Sequence, residues 1–288
     1  MALPKPVPRA PGEADARALW QLPSGAPVLR RNLCTLAQPC LQQPHTPRFL
    51  FHEAAVLLIA AGRLGLDDGV HRMAVDASPS LLLVEANTCA DLLKTPGGTE
   101  QRFRSVFLAL PATLLEAFHR SRPVAPQDQV RSAPFRQMPL DDDLASTLRR
   151  VHDSVELRRV SDERLQYRLM VLLVALAERG HCFRPAVQHG ISGRLRTLIG
   201  EAPDRHWTAH EAGRALAMSE ATLRRRLAGE CVRFDHLLLD VRMHHAMMLV
   251  QTTSWSIPLI AQACGYQSRA RFAERFRARF GYLPSAVR

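Results

Sequence analysis

The chain has 288 residues, enough for two domains that each bury a core. Its formal net charge of +11 and pI near 10.4 point to a polyanionic partner, while six scattered cysteines without a CxxC pair or Cys/His cluster argue against a disulfide framework and a zinc finger. The most apolar run, AAVLLIAA at 54–61, is far shorter than the ~20 residues of a membrane span. The opening MALPKPVPRAPGEADAR has no apolar h-region. A cytoplasmic protein with no membrane partner is the expectation.

Nine of the twenty prolines fall within residues 1–47, a density that opposes regular helix and predicts a flexible tail over 1–27. From residue 28 to about 122 the pattern is short apolar runs cut by turn signals: FLFHEAAVLLIAAGRLGL, the Asp67-Asp68-Gly69 turn, HRMAV, SLLLVEA, TPGG, then FRSVFLAL. Runs of this length between Asp-Gly and Pro-Gly read as antiparallel strands of a sandwich or small barrel, closed by a helix-like ATLLEAFHR. Residues 123–139, with four prolines, read as a linker. A helical hairpin over 140–182 follows. Leu144, Leu148, Val151 and Val155 make one stripe behind an acidic start at Asp141–Asp143; Ser161 caps a second, largely apolar helix ending at Gly180. That hairpin suits packing on the barrel or pairing with a second copy.

From Ile191 onward strand signals vanish and charge concentrates. Residues 191–288 hold fifteen Arg, no Lys and eight acidic residues, a balance of +7, against +4 for the first 190. Ile257, Ile260, Ala261 and Cys264 form one face of a short helix, Gly265 supplies a turn, and Ser268 caps a second helix on which Phe272, Phe276 and Phe280 recur every fourth residue. Arg269, Arg271, Arg275, Arg277 and Arg279 cover its other faces. Helix, glycine turn and basic second helix make a helix-turn-helix, whose second helix enters the DNA major groove. The pattern repeats about fifty residues earlier in TAHEAGRALAMSEATLRRRLAGE, where Leu216, Leu223 and Leu227 face inward, Ser219 caps and Arg224, Arg225 and Arg226 intervene. FDHLLLDVRMHHAMMLVQTT reads as one helix between the units. Unit boundaries are thus about 208–229, 233–252 and 256–280. The adjacent His244 and His245 point to different faces and cannot form an i, i+4 metal pair.

This spacing resembles the DNA-binding domain of the AraC/XylS transcription regulators. Ser219, Thr222, Leu223, Arg225, Leu227, Arg242, Ala246, Leu249, Ile257, Ile260, Ala261, Gly265, Tyr266, Ser268, Phe272, Phe276, Phe280, Gly281, Pro284 and Arg288 match its pattern. The resemblance implies an α+β chain of two domains: a cupin-like β barrel plus helical hairpin, then an all-α, seven-helix tandem helix-turn-helix domain over about 190–288. It implies Glu220, Ala221, Arg224 and Arg225 facing bases from the first unit, and Arg269, Ala270, Arg271 and Glu274 from the second. Ser219, Thr222 and Ser268 are then placed to bond phosphates, which position without specifying. Leu216, Leu223, Leu227, Ala261, Gly265, Phe272 and Phe276 form the core of the two units. Three positions depart from the pattern: Ala217 and Cys231 stand where glycine is common, and Ala270 replaces a frequent serine. Arg242 reads as a structural ion pair on the linking helix.

The implied function is sequence-specific control of transcription, mostly activation, with promoter DNA and RNA polymerase as partners. The first half would sense a small-molecule or protein effector or support a homodimer, and the protein would sit on the nucleoid. His45, His52 and His71 are isolated and lack the HxH pair of a metal cupin, so no metal, cofactor, catalytic residue or enzymatic activity is expected. Two alternatives stand beside this reading: a non-specific architectural DNA-binding protein, and a cupin-type enzyme with a DNA-binding appendage.

Overall fold

The computed structural model describes residues 28–30, 33–37, 40–41, 45–77, 79–97, 101–122, 133–156, 160–185, 190–253 and 255–287. The expected tail over 1–27, most of the expected linker and Arg288 lie outside them. Among the described residues eleven strands build two antiparallel sheets. The larger runs β1 (Val28–Arg30), β2 (Cys34–Ala37), β10 (Phe103–Leu110), β5 (Ala54–Ala61), β8 (Ser80–Val84), β11 (Phe135–Pro139), with β3 (Cys40–Leu41) also on β10. The smaller runs β4 (His45–Phe51), β9 (Thr88–Thr95), β6 (Arg63–Asp67), β7 (Arg72–Asp76).

The continuous apolar runs of β5 and β8 arise because both faces of the larger sheet are covered. Val56, Leu58, Leu81 and Leu83 face α1 (Ala112–Ser121), α2 (Asp142–Glu156) and α3 (Asp162–Glu178) in one core. Ala55, Leu57, Ile59, Leu82 and Val84 face the smaller sheet in another. The hairpin α2–α3 packs on the sheet as its stripe requires, with Leu144, Leu148, Val151 and Val155 buried and Ser161 accepting from the Arg164 amide. At the β6–β7 turn the carboxylates of Asp67 and Asp68 accept from the amides of Gly69, Val70 and His71. That is how an Asp-Asp-Gly turn satisfies its own backbone.

Two elements differ from expectation. The segment 123–139 was to be linker, yet Phe135–Pro139 is a strand paired from Phe135↔Val84 to Pro139↔Ser80. It is the outermost strand of its sheet, the one place where a proline without an N–H donor costs no ladder bond. Strand β9 escaped the pattern reading. Its burial alternates strictly, but the inward positions are Thr88, Ala90, Leu92 and Lys94, and a lysine in a core position hides the alternation.

The C-terminal part contains α4 (Ile191–Glu201), α5 (Ala209–Ala215), α6 (Glu220–Gly229), α7 (Phe234–Thr252), α8 (Ile257–Ala263), α9 (Arg269–Phe280) and a 3-10 turn at Pro284–Ala286. These are seven helical segments. Their cores are unequal. The first unit closes on itself: Leu195, Ile199, Trp207, Ala212, Leu223, Leu227 and Leu237 form a separate core. The second joins Phe272, Phe276, Phe280, Met243 and Met247 to the barrel interior in one continuous apolar cluster.

Phe276→Ala is therefore expected to cost about 3–5 kcal/mol and to loosen β5 and β8 along with α9. Leu223→Ala, at about 2–5 kcal/mol, should leave the barrel protected. Urea unfolding followed by residue-resolved hydrogen exchange distinguishes the two patterns.

Candidate nucleic-acid interface

Each helix-turn-helix unit is assembled by the same local chemistry. In the first, the Thr208 hydroxyl accepts from the Glu211 amide at 3.1 Å, and the Glu211 carboxylate accepts from the Thr208 amide at 3.0 Å. This capping box starts α5. The chain then turns at Ala217, whose φ is 57°, and Ser219 caps α6 by accepting from the Thr222 amide at 3.2 Å. Gly213 permits the turn: a Cβ there would lie 2.9 Å from the Met218 carbonyl oxygen. In the second unit Ser256 caps α8, Gly265 turns with φ 76°, and Ser268 caps α9 by accepting from the Arg271 amide at 3.3 Å.

A side chain at Gly265 would collide with the Arg242 guanidinium and the Pro203 carbonyl. Arg242 lies there because its Nε donates to Pro203 O at 3.1 Å, its Nη2 donates to Arg205 O at 2.9 Å, and its guanidinium sits over the Tyr266 ring. The expected ion pair is thus a clasp on two carbonyls that ties the linking helix to both units. Burial pulls the Arg242 guanidinium below its ordinary range.

The residues expected to read DNA lie together on the two capped helices. Ala221, Arg224 and Arg225 of α6 are exposed and Glu220 is half-buried; Arg269, Ala270, Arg271 and Glu274 of α9 are exposed. The Arg224 Nε donates to Glu220 Oε1 at 2.8 Å, an i, i+4 pair that orients the guanidinium on the helix face. Ser219 and Ser268 are exposed, Thr222 is half-buried, and the two serine oxygens are engaged as caps. Of the expected core, Leu223, Leu227, Ala261, Phe272 and Phe276 are at most 2% exposed, while Leu216 is half-buried.

Arg279 departs from the row of exposed arginines on α9. Its Nε donates to Asp240 Oδ1 at 3.2 Å and its Nη2 donates to the Arg48 carbonyl of β4 at 2.7 Å. It faces the barrel because position 279 follows Phe272 by seven residues, two helical turns, and so shares the phenylalanine side of α9. Asp240 also accepts from Arg196 at 3.3 Å. His244 is buried beside this cluster, and burial lowers His245 to about 4. The polar seam was absent from the pattern because its members sit on α4, α7, α9 and β4, far apart in the chain.

Two capped helix pairs joined by α7, with arginine-rich second helices, define a tandem helix-turn-helix DNA-binding domain. A helix-turn-helix domain family matches residues 212–288. The HTH-type transcriptional regulator YdeO of Escherichia coli strain K12 is 35% identical over 97 residues, 34% of this chain and 38% of the relative. The urease operon transcriptional activator of Escherichia coli is 32% identical over 124 residues, 42% of each chain. These matches span about two fifths of the curated relatives. The fold of both domains is shared with ToxT from Vibrio cholerae: the apo structure of a single-residue variant of that protein superposes with a TM-score of 0.61 at 13% identity, covering 89% of this chain and 97% of that one.

Ala217 and Cys231 hold φ values of 57° and 56°, where an L side chain costs about 1–2 kcal/mol. Ala217→Gly and Cys231→Gly are each expected to stabilise the first unit by about 0.5–1 kcal/mol, part of the relief being returned through the freer unfolded chain. Thermal unfolding of each variant checks this.

Proposed function

We propose that this protein is a sequence-specific transcription regulator, acting mainly as an activator, that sets α6 and α9 into adjacent major-groove turns of promoter DNA. The observation that carries the reading is the repetition of one capped, arginine-bearing helix on two copies of the same scaffold. Arg224, Arg225, Arg269 and Arg271 then fork onto guanine edges, a contact of ~1–3 kcal/mol each. Ala221 and Ala270 leave room for the bases, Glu220 and Glu274 select among them, and Ser219, Thr222 and Ser268 approach phosphates. RNA polymerase is the proposed downstream partner. Tyr167 and Val171, one helical turn apart on α3 and 65% and 57% exposed, support a homodimer through that helix. The site of action is the nucleoid.

Control by an effector rests on Lys94. Its side chain points inward from β9, is 4% exposed, and donates to Gln251 Oε1 of α7 at 3.4 Å. Burial pulls the ammonium down to about 7. A buried amine with a single amide partner is suited to an anion that arrives from outside. ToxT has been solved with an unsaturated fatty acid bound, and a carboxylate on an apolar tail fits a lysine at the rim of an apolar barrel core.

Selection of fragments from random DNA by the full chain near physiological salt tests the regulator. The expected result is an asymmetric motif with two half-sites about one helical turn apart. Arg224→Ala and Arg271→Ala should each weaken binding roughly 5–150-fold at different base positions. Binding that falls with salt equally for every fragment would instead make the protein architectural.

For Lys94, the folded state binds fewer protons than the unfolded one between pH 7 and 10.5, so stability rises with pH across that window. Lys94→Met is expected to remove this rise and to weaken binding of an unsaturated fatty acid at least tenfold, read by thermal unfolding against pH and by calorimetry. No fatty-acid binding by the unsubstituted protein would end the effector reading and leave the regulator reading intact.

A further inference from the structure

Strand β4 is the outermost strand of the smaller sheet, so one row of its backbone groups faces away from β9. The C-terminal domain satisfies that row with side chains. Leu50 N–H donates to His244 Nε2 at 3.0 Å, the Arg48 carbonyl accepts from Arg279 Nη2 at 2.7 Å, and the His45 carbonyl accepts from the Tyr282 hydroxyl at 2.9 Å. The bulge between Thr46 and Phe49 and the positive φ of Arg48 accompany this arrangement.

The contacts of His244 settle its protonation. Its Nδ1 lies 2.7 Å from the Asp240 backbone carbonyl, which can only accept, so Nδ1 carries the hydrogen. Its Nε2 faces the Leu50 amide, which can only donate, so Nε2 offers a lone pair. Arg279 Nη2, a second donor, lies 3.4 Å from the same Nε2. A proton added to Nε2 would meet two donors and no acceptor.

Charge acts on the same proton in both senses: the Asp240 carboxylate of α7, 3.8 Å from His244 Nδ1, favours it, while Arg279 of α9 and Arg196 of α4, both bonded to that carboxylate, oppose it. One carboxylate already faces two guanidiniums. His52, between β4 and β5, presents its ring edge-on to His244 with centroids 5.2 Å apart, and both its buried ring nitrogens lack a hydrogen-bond partner. From β9, Cys89 and Asp91 complete the set, the thiol being pushed up by burial. Burial likewise lowers His244 and takes His52 to about 3.

We propose that His244, seconded by His52, is a proton-operated latch that holds the barrel against the second helix-turn-helix unit. Neutral His244 completes the edge of β4 and keeps α7 and α9 docked. Protonated His244 breaks the Leu50 bond, adds a second uncompensated positive charge to the seam and releases it. The sign follows from linkage: undocked histidines return toward 6.5, so docking is at full strength above that pH and weakens as pH falls below it. The weakening reaches up to tenfold per pH unit for one histidine and up to a hundredfold for two. Acid would thereby reset how α9 is held relative to the barrel, whatever DNA the protein reads.

The test uses the full chain without DNA. Hydrogen exchange of the 45–51 segment, corrected for intrinsic rates, is compared at pH 7.5 and 5.5 in the unsubstituted protein, His244→Gln and His52→Phe. A glutamine oxygen can accept from Leu50 but cannot take up a proton in this range. The expected result is at least a tenfold loss of protection at pH 5.5 in the unsubstituted protein and a shallower loss in both His244→Gln and His52→Phe, each of which keeps one of the two histidines. Equal protection at both pH values, or a His244→Gln variant that loses protection as fully as the parent, overturns the latch. Should His244→Gln fail to fold, long-range proton–nitrogen NMR of the unsubstituted protein decides at pH 7.5: the Nδ1–H form is expected, and the Nε2–H form or an imidazolium would refute the proposal.

Discussion

A strand at the edge of a sheet leaves backbone donors and acceptors that must be paired, covered or left to water. In this chain β4 is that edge, and His244, Arg279 and Tyr282 of the other domain cover it. Much of the relation between the two domains follows from this seam. It brings α7 and α9 against the barrel, which lets Phe272, Phe276 and Phe280 share a core with Leu57, Leu82 and Phe103. It also removes Arg279 from the row of surface arginines and places Asp240 between two guanidiniums.

The two helix-turn-helix units consequently have different standing. The first folds around its own core, with the Glu230 carboxylate accepting from the amides of Ile191 and Ser192 to fasten the end of α6 to the start of α4. The second is built into the barrel. With one unit free-standing and one anchored to the barrel, the second can be altered without disturbing the first. Arg242 limits that freedom by clasping the loop at Pro203 and Arg205 while lying under the Gly265 turn. Of the two units, the first carries the strained turns, at Ala217 and Cys231, which adopt glycine-like φ without glycine.

The two capped helix pairs were legible in the sequence because their grammar is local. Caps three residues from their amides, apolar positions every third or fourth residue and a turn glycine are all spaced within one helix or one turn. Ser219, Ser268, Gly265, Leu223 and Phe276 therefore occupy the structural positions their spacing implied. Strand β9 shows where that grammar fails: Lys94 occupies an inward position, and a pattern of polarity cannot register a charge that tertiary structure buries. Strand β11 fails for the opposite reason. Pro139 and the prolines before it advertise a linker, and the place of β11 at the sheet edge makes Pro139 compatible with pairing.

By itself, then, the sequence determined the helical repeat, the arginine-bearing second helices, the apolar strands and the caps, since each depends on interactions between neighbours along the chain. Tertiary structure alone decided which arginine stays exposed and which is consumed in the seam, which tautomer His244 holds, and which domain shares whose core. Those outcomes depend on groups brought together from 35 to 231 residues apart, such as His244 with Arg279 and Arg279 with Arg48. No periodicity records such distances, because a hydrogen bond or a buried charge is set by what surrounds a side chain in space.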